Sequence, residues 1–76
     1  MMNQSRYAVC IDRSLDDCEA LKVYRILEDS QSESEGLLRV VDDSGEEYLH
    51  PASSFLPLSL EKQQVDALEA MLAAAS

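Results

Sequence analysis

The sequence predicts a mainly β protein: a small five-stranded barrel followed by a C-terminal α-helix. Three observations predict it. Short apolar runs with β-branched residues recur between polar connectors, at 7–11, 23–27 and 37–41. The stretch 36–55, GLLRVVDDSGEEYLHPASSF, carries a strand, a turn and a second strand that ends at a proline. A sustained run of apolar residues three and four apart occurs only near the end, within 59–75. We place the barrel at 6–58 and the helix at 59–75, as a single domain in a chain of 76 residues. A chain this short is expected to be stable by about 4–11 kcal/mol.

The first strand is Arg6 to Ile11. Alternation sets Tyr7, Val9 and Ile11 on one face and Ala8 and Cys10 on the other, so each face has something apolar to bury. The charged stretch DRSLDDCEA, 12–20, reads as a long loop, since only Leu15 and Cys18 would make an apolar side for a helix. Leu21 is expected to tuck under the second strand, Val23 to Leu27, in which Tyr24 and Ile26 point inward and Arg25 outward. The connector 29–36, DSQSESEG, has no apolar residue and is expected to be exposed and mobile. The third strand, Leu37 to Val41, turns Leu38 and Val40 inward and marks its wetter face with Arg39. Asp42-Asp43-Ser44-Gly45 supplies a hairpin turn: Asp and Ser bond nearby backbone, and Gly accepts the positive φ the turn needs. Glu46 to His50 returns as the fourth strand and stops at Pro51, which cannot donate to a ladder. Ala52 to Ser54 makes one turn of tight helix, and Phe55 to Leu58 a short edge strand with Phe55 as the core plug. The helix begins with Ser59 as N-cap and Glu61 in its first turn. Its apolar face, Val65, Leu68, Met71 and Leu72, either caps the barrel or pairs with a second copy.

Charge and composition exclude several function classes. Asp and Glu number 15 against six Lys and Arg, a formal charge of −9. Such a surface repels phosphate backbones and anionic membranes, so direct nucleic-acid or membrane binding is not expected. There is no long apolar run and no basic-then-apolar leader, which suggests a cytoplasmic protein with Cys10 and Cys18 as thiols. Two cysteines and one histidine do not make a zinc site. Asp42, Asp43, Glu46 and Glu47 crowd one turn, but their spacing is not that of a calcium loop; no metal and no cofactor are expected.

Five short strands, with a long charged loop after the first and a tight hairpin from the third, resemble a Src-homology-3-type barrel over 7–58. Ala8-Val9-Cys10-Ile11-Asp12 lies where those domains carry their Ala-Leu-Tyr-Asp-Tyr run, and Leu37-Leu38-Arg39-Val40 where paired tryptophans lead their third strand. Cys10 and Asp12 replace the two tyrosines, and Leu37 and Leu38 the tryptophans. The aromatic groove that nests a proline-rich ligand is therefore not implied. The chain is also similar to a group of small bacterial proteins without an assigned activity. That likeness rests on Tyr24-Arg25-Ile26-Leu27, on the run from Asp42 to Pro51, and on Phe55-Leu56-Pro57.

No catalytic constellation is legible. His50 stands alone, Cys18 sits among acids that disfavour its thiolate, and two glycines cannot build a phosphate-cradling loop. The expected function is a small acidic, non-catalytic protein-binding module. It would present Tyr7, Asp12, Asp16, Asp17, Tyr48 and His50 to a protein with a basic patch. The alternative is an acidic nucleic-acid mimic that occupies the site of a DNA-binding protein. Homodimerisation through Val65, Leu68, Met71 and Leu72 is compatible with either.

Overall fold

The computed structural model describes residues 6–75. In chain order the elements are β1 (Arg6–Cys10), β2 (Val23–Leu27), α1 (Ser30–Ser34), β3 (Leu37–Val41), β4 (Glu47–Pro51), a 3-10 turn (Ala52–Ser54), β5 (Phe55–Pro57) and α2 (Lys62–Ala75). The strands make one antiparallel sheet in the order β4-β3-β2-β1-β5, curled into a half-barrel.

The register decides what is buried. Ala8 lies opposite Tyr24, Ile26 opposite Val40, Leu38 opposite His50, and Cys10 opposite Phe55. These residues share the concave face. Ala8, Cys10, Tyr24, Ile26, Val40 and Phe55 form the core with Cys18 from the first loop, and Leu15 and Leu38 pack against it. The residues expected inward from alternation thus form or pack against the core, and Phe55 contributes a buried ring to it. The rings of Tyr24 and Phe55 meet edge to face, centroids 6.4 Å apart, an arrangement worth about 0.5–1.5 kcal/mol beyond burial.

The β3–β4 turn is a three-residue connection. The Gly45 N–H donates to the Asp42 carbonyl at 2.9 Å, the Asp42 N–H donates to the Glu46 carbonyl at 3.1 Å, and Gly45 has φ +84°. A type I turn followed by a left-handed residue requires Gly there. The Asp42 carboxylate locks the turn by accepting from the N–H and hydroxyl of Ser44 at 3.0 and 2.5 Å.

The connector 29–36, which has no apolar residue, nevertheless contains regular structure. It holds the one-turn helix α1. Asp29 is the N-cap, accepting from the N–H and hydroxyl of Ser32 at 3.1 and 2.9 Å, and Ser32 is buried. Arg39 of β3 donates to the same carboxylate at 2.8 Å, and Arg6 of β1 pairs with Glu33. Capping and ion pairing organise this helix, and hydrophobic periodicity contains no trace of either.

Two further expectations change. Leu21 does not tuck under β2: it is 77 % exposed and has φ +67°. The α2 helix begins at Lys62, not at Ser59. Gln64 makes the cap, its Oε1 accepting the Glu61 N–H at 2.9 Å while the Val65 N–H donates to the Glu61 carbonyl at 2.9 Å. A side chain reaching back from the first turn thus does what Ser59 was expected to do.

Tyr7 fixes α2 on the sheet. Its hydroxyl donates to Glu69 Oε2 at 2.9 Å, and the residue is 2 % exposed although it sits on the convex face of β1. Val65 and Leu68 share a helix face with Glu69 and are half-buried, while Met71 lies 70 % exposed beyond them.

Candidate functional site

One end of the half-barrel gathers most of the acidic residues singled out in the sequence. The first loop, 11–22, and the β3–β4 turn are tied together there. The Asp43 N–H donates to the Asp17 carbonyl at 2.9 Å. The Tyr24 hydroxyl donates to Asp43 Oδ2 at 2.8 Å and accepts the Glu19 N–H at 2.7 Å. Lys22 bridges to Asp43 Oδ1 at 2.7 Å. A buried tyrosine therefore holds two acidic segments side by side, with Asp16, Asp17, Glu19, Glu46 and Glu47 exposed.

The electrostatics follow from these bonds. Burial pushes the Tyr24 phenol up, so it stays protonated and able to donate. Burial by itself would raise the Asp43 carboxyl, but the bonds from Lys22 and Tyr24 outweigh it and hold the group below its usual range. The bond to Asp43 raises the Lys22 ammonium in turn.

Asp12 is an anchor for the loop. Its Oδ1 accepts from the hydroxyl and N–H of Ser14 at 2.6 and 2.8 Å, and its Oδ2 from the Ser54 hydroxyl at 2.7 Å. The Ser14 hydroxyl is the first cause of a carboxyl held below its ordinary value. The loop is pinned at its far end by Leu21, whose N–H donates to the Cys10 carbonyl at 2.6 Å. That bond holds Leu21 in a left-handed conformation, which costs a non-glycine residue about 1–2 kcal/mol. The outcome is an exposed apolar side chain in the acidic loop, and Ile11, the residue after β1, is 51 % exposed.

The structure separates the other expected contact residues. Tyr7 is buried under α2, so it is not presented to a partner. His50 also turns inward: its side chain is 14 % exposed and its ring lies 5.9 Å from that of Phe55. Its Nε2 is 3.8 Å from Oδ2 of buried Asp42, and neither atom has a hydrogen-bond partner among the described residues. Tyr48 is exposed as expected, and its hydroxyl donates to Glu46 at 2.8 Å. Cys18, expected in a charged loop, belongs to the core. Burial, ahead of the neighbouring acids, pushes its thiol up to about 11.

Sequence reasoning missed Tyr24 and Leu21 as parts of this end. The one signal for Tyr24 is its chemistry, since a tyrosine at an inward strand position must find a partner for its hydroxyl. Among the described residues, no group of three or more His, Cys, Asp or Glu is placed to hold a metal ion. No helix among them is long and apolar enough to cross a membrane. Compared with family models, curated proteins and solved structures, the chain matches none of them.

Proposed function

We infer that the protein is a small acidic, non-catalytic protein-binding module whose partner carries a basic patch. The observation that supports this most is the joining of loop 11–22 to the β3–β4 turn through Tyr24 and Asp43. It sets exposed carboxylates on an ordered frame, so little conformational entropy is lost when a cationic surface docks. Leu21 and Ile11 supply apolar contact beside the charge. The inward turn of His50 and the raised thiol of Cys18 favour binding over catalysis.

The strand order, the long first loop and the 3-10 turn before β5 suit a Src-homology-3-type barrel. Cys10 is fully buried where an aromatic groove would need an exposed ring, so the acidic end carries the recognition instead. A bacterial, cytoplasmic setting is part of the same reading.

The test is capture from native cytosol on the immobilised protein at about 50 and about 300 mM salt, which bracket the change from weak to strong screening. A basic partner that is released as salt rises supports the reading; no partner at either salt refutes it. Competition of that partner by duplex DNA would favour the alternative of a nucleic-acid mimic.

A further inference from the structure

A sheet that does not close has two edges, and here they differ. On β5 the Phe55 N–H is taken by the Ala52 carbonyl, Leu56 sits between ladder bonds to β1, and Pro57 has no N–H. That edge has no donor left. On β4, the Ala52 N–H bonds the Gly36 carbonyl and the Asp42 N–H bonds the Glu46 carbonyl, at the two ends of an unbroken register. Antiparallel alternation then turns the backbone groups of Tyr48 and His50 toward β3 and those of Glu47, Leu49 and Pro51 away from it. Two N–H groups, of Glu47 and Leu49, and three carbonyls, of Glu47, Leu49 and Pro51, thus form an open row among the described residues. The side chains flanking it, Glu47, Tyr48 and Leu49, are all exposed.

We propose that β4 is a docking edge, on which an extended basic segment of a partner protein adds as a sixth strand. The proposal rests on the binding reading above and names its mode. Charge selects the occupant. A second copy would bring another −9 body against this edge, with Glu47 in its own strand and Glu46 and Asp43 in the turn before it. A strand with lysine or arginine opposite Glu47 and an apolar residue opposite Tyr48 meets opposite charge and uncovered ring, and a basic stem opposite Leu49 covers it. Main-chain bonds supply the affinity and the two side-chain rows the selectivity.

The probe is a blocked peptide of alternating lysine and valine, followed by amide hydrogen exchange and chemical-shift mapping of the whole protein. In the free protein the amides of Tyr48 and His50 are protected and those of Glu47 and Leu49 exchange freely; adding the peptide protects the second pair. N-methylation of the peptide on its pairing edge removes two main-chain bonds and weakens binding about tenfold or more. Leu49→Pro, which deletes an outward N–H and no ladder bond, weakens it similarly. Should that variant fail to fold, the exchange pattern of the unaltered protein still decides. Equal binding of the N-methylated peptide, with shifts confined to 12–19, overturns edge docking while supporting an acidic binding surface. Protection of Glu47 and Leu49 in the free protein, constant or rising with concentration, overturns it too, as does no binding of the peptide. Those outcomes leave the broader binding reading to the capture experiment.

Discussion

Removing one oxygen, in Tyr24→Phe, isolates the joint on which the acidic end is built. The ring stays in the core against Phe55, so no cavity opens, and the residue is only 4 % exposed. What goes is one bond to a carboxylate, Tyr24 to Asp43, and one from a backbone N–H, Glu19 to Tyr24. Bonds to charged groups contribute about 1.5–3 kcal/mol and neutral ones about 0.5–1.5. Asp43 keeps Lys22 as a partner and is one-third exposed, so water compensates part of the first loss. A net destabilisation of about 2 kcal/mol follows. In a domain of this size that lowers the melting temperature by about 8–16 °C. Urea and thermal melts read it directly. Tyr48→Phe is the control: among the described residues its hydroxyl bonds only the exposed Glu46, two residues away, and its midpoint should stay at that of the unaltered protein. A Tyr24→Phe midpoint indistinguishable from that of Tyr48→Phe would refute the joint. A double cycle with Asp43→Asn should show a coupling of about 1 kcal/mol between the two sites.

Four further outcomes follow. Leu21→Gly relieves the left-handed strain and should raise stability by about 0.5–1 kcal/mol in urea melts, while weakening capture of a partner, because the exposed side chain is gone. Cys18 should resist alkylation in the folded protein at pH 8 and react on unfolding, since its thiol is buried and raised to about 11; rapid labelling of the native state would contradict its place in the core. The Asp29 carboxyl is held at about 2 first by the Ser32 N–H and then by Arg39. Its folded value lies below the unfolded one near 3.9, so the stability it confers is present above about pH 4 and lost as the pH falls toward 2. The Ser32 amide should lose exchange protection across that window, and α1 with it. Leu68→Asp should destabilise the fold without changing the mass measured by light scattering, because the half-buried face carrying Val65, Leu68 and Glu69 lies on its own sheet at Tyr7; a drop from dimer to monomer mass would show pairing instead.

The residues that were legible and those that were not differ in kind. Alternation located Tyr24, Ile26, Leu38 and Val40 on the inner face, because a one-residue slip would have exposed all of them at once. Asp, Ser and Gly in the β3–β4 turn could be read from their local backbone preferences. The α1 helix could not. It is held by the Asp29 cap on Ser32, by Arg39 ten residues further on in β3 and by Arg6 on β1, and apolar periodicity registers none of these. Tyr7 and Val9 alternate identically, but only Tyr7 carries an oxygen that reaches Glu69, so the site of α2 docking was hidden in a long-range pair. At the candidate site the acids themselves were visible, and their arrangement was not. Asp12 spends its carboxylate on Ser14 and Ser54, whereas the backbone of Asp17 and the carboxylate of Asp43 do the joining. Tertiary bonds, not composition, decide which acid is structural and which is presented.

The most direct test of an acidic end built in advance of its partner is the backbone ¹⁵N relaxation of residues 12–22 in the free protein. A loop tied through Asp17, Glu19 and Leu21 to Asp43, Tyr24 and Cys10 should give order parameters near 0.85, like those of the strands, with the Asp43 and Leu21 amides protected from exchange. Values below about 0.6 across the loop, with those amides exchanging freely, would contradict it.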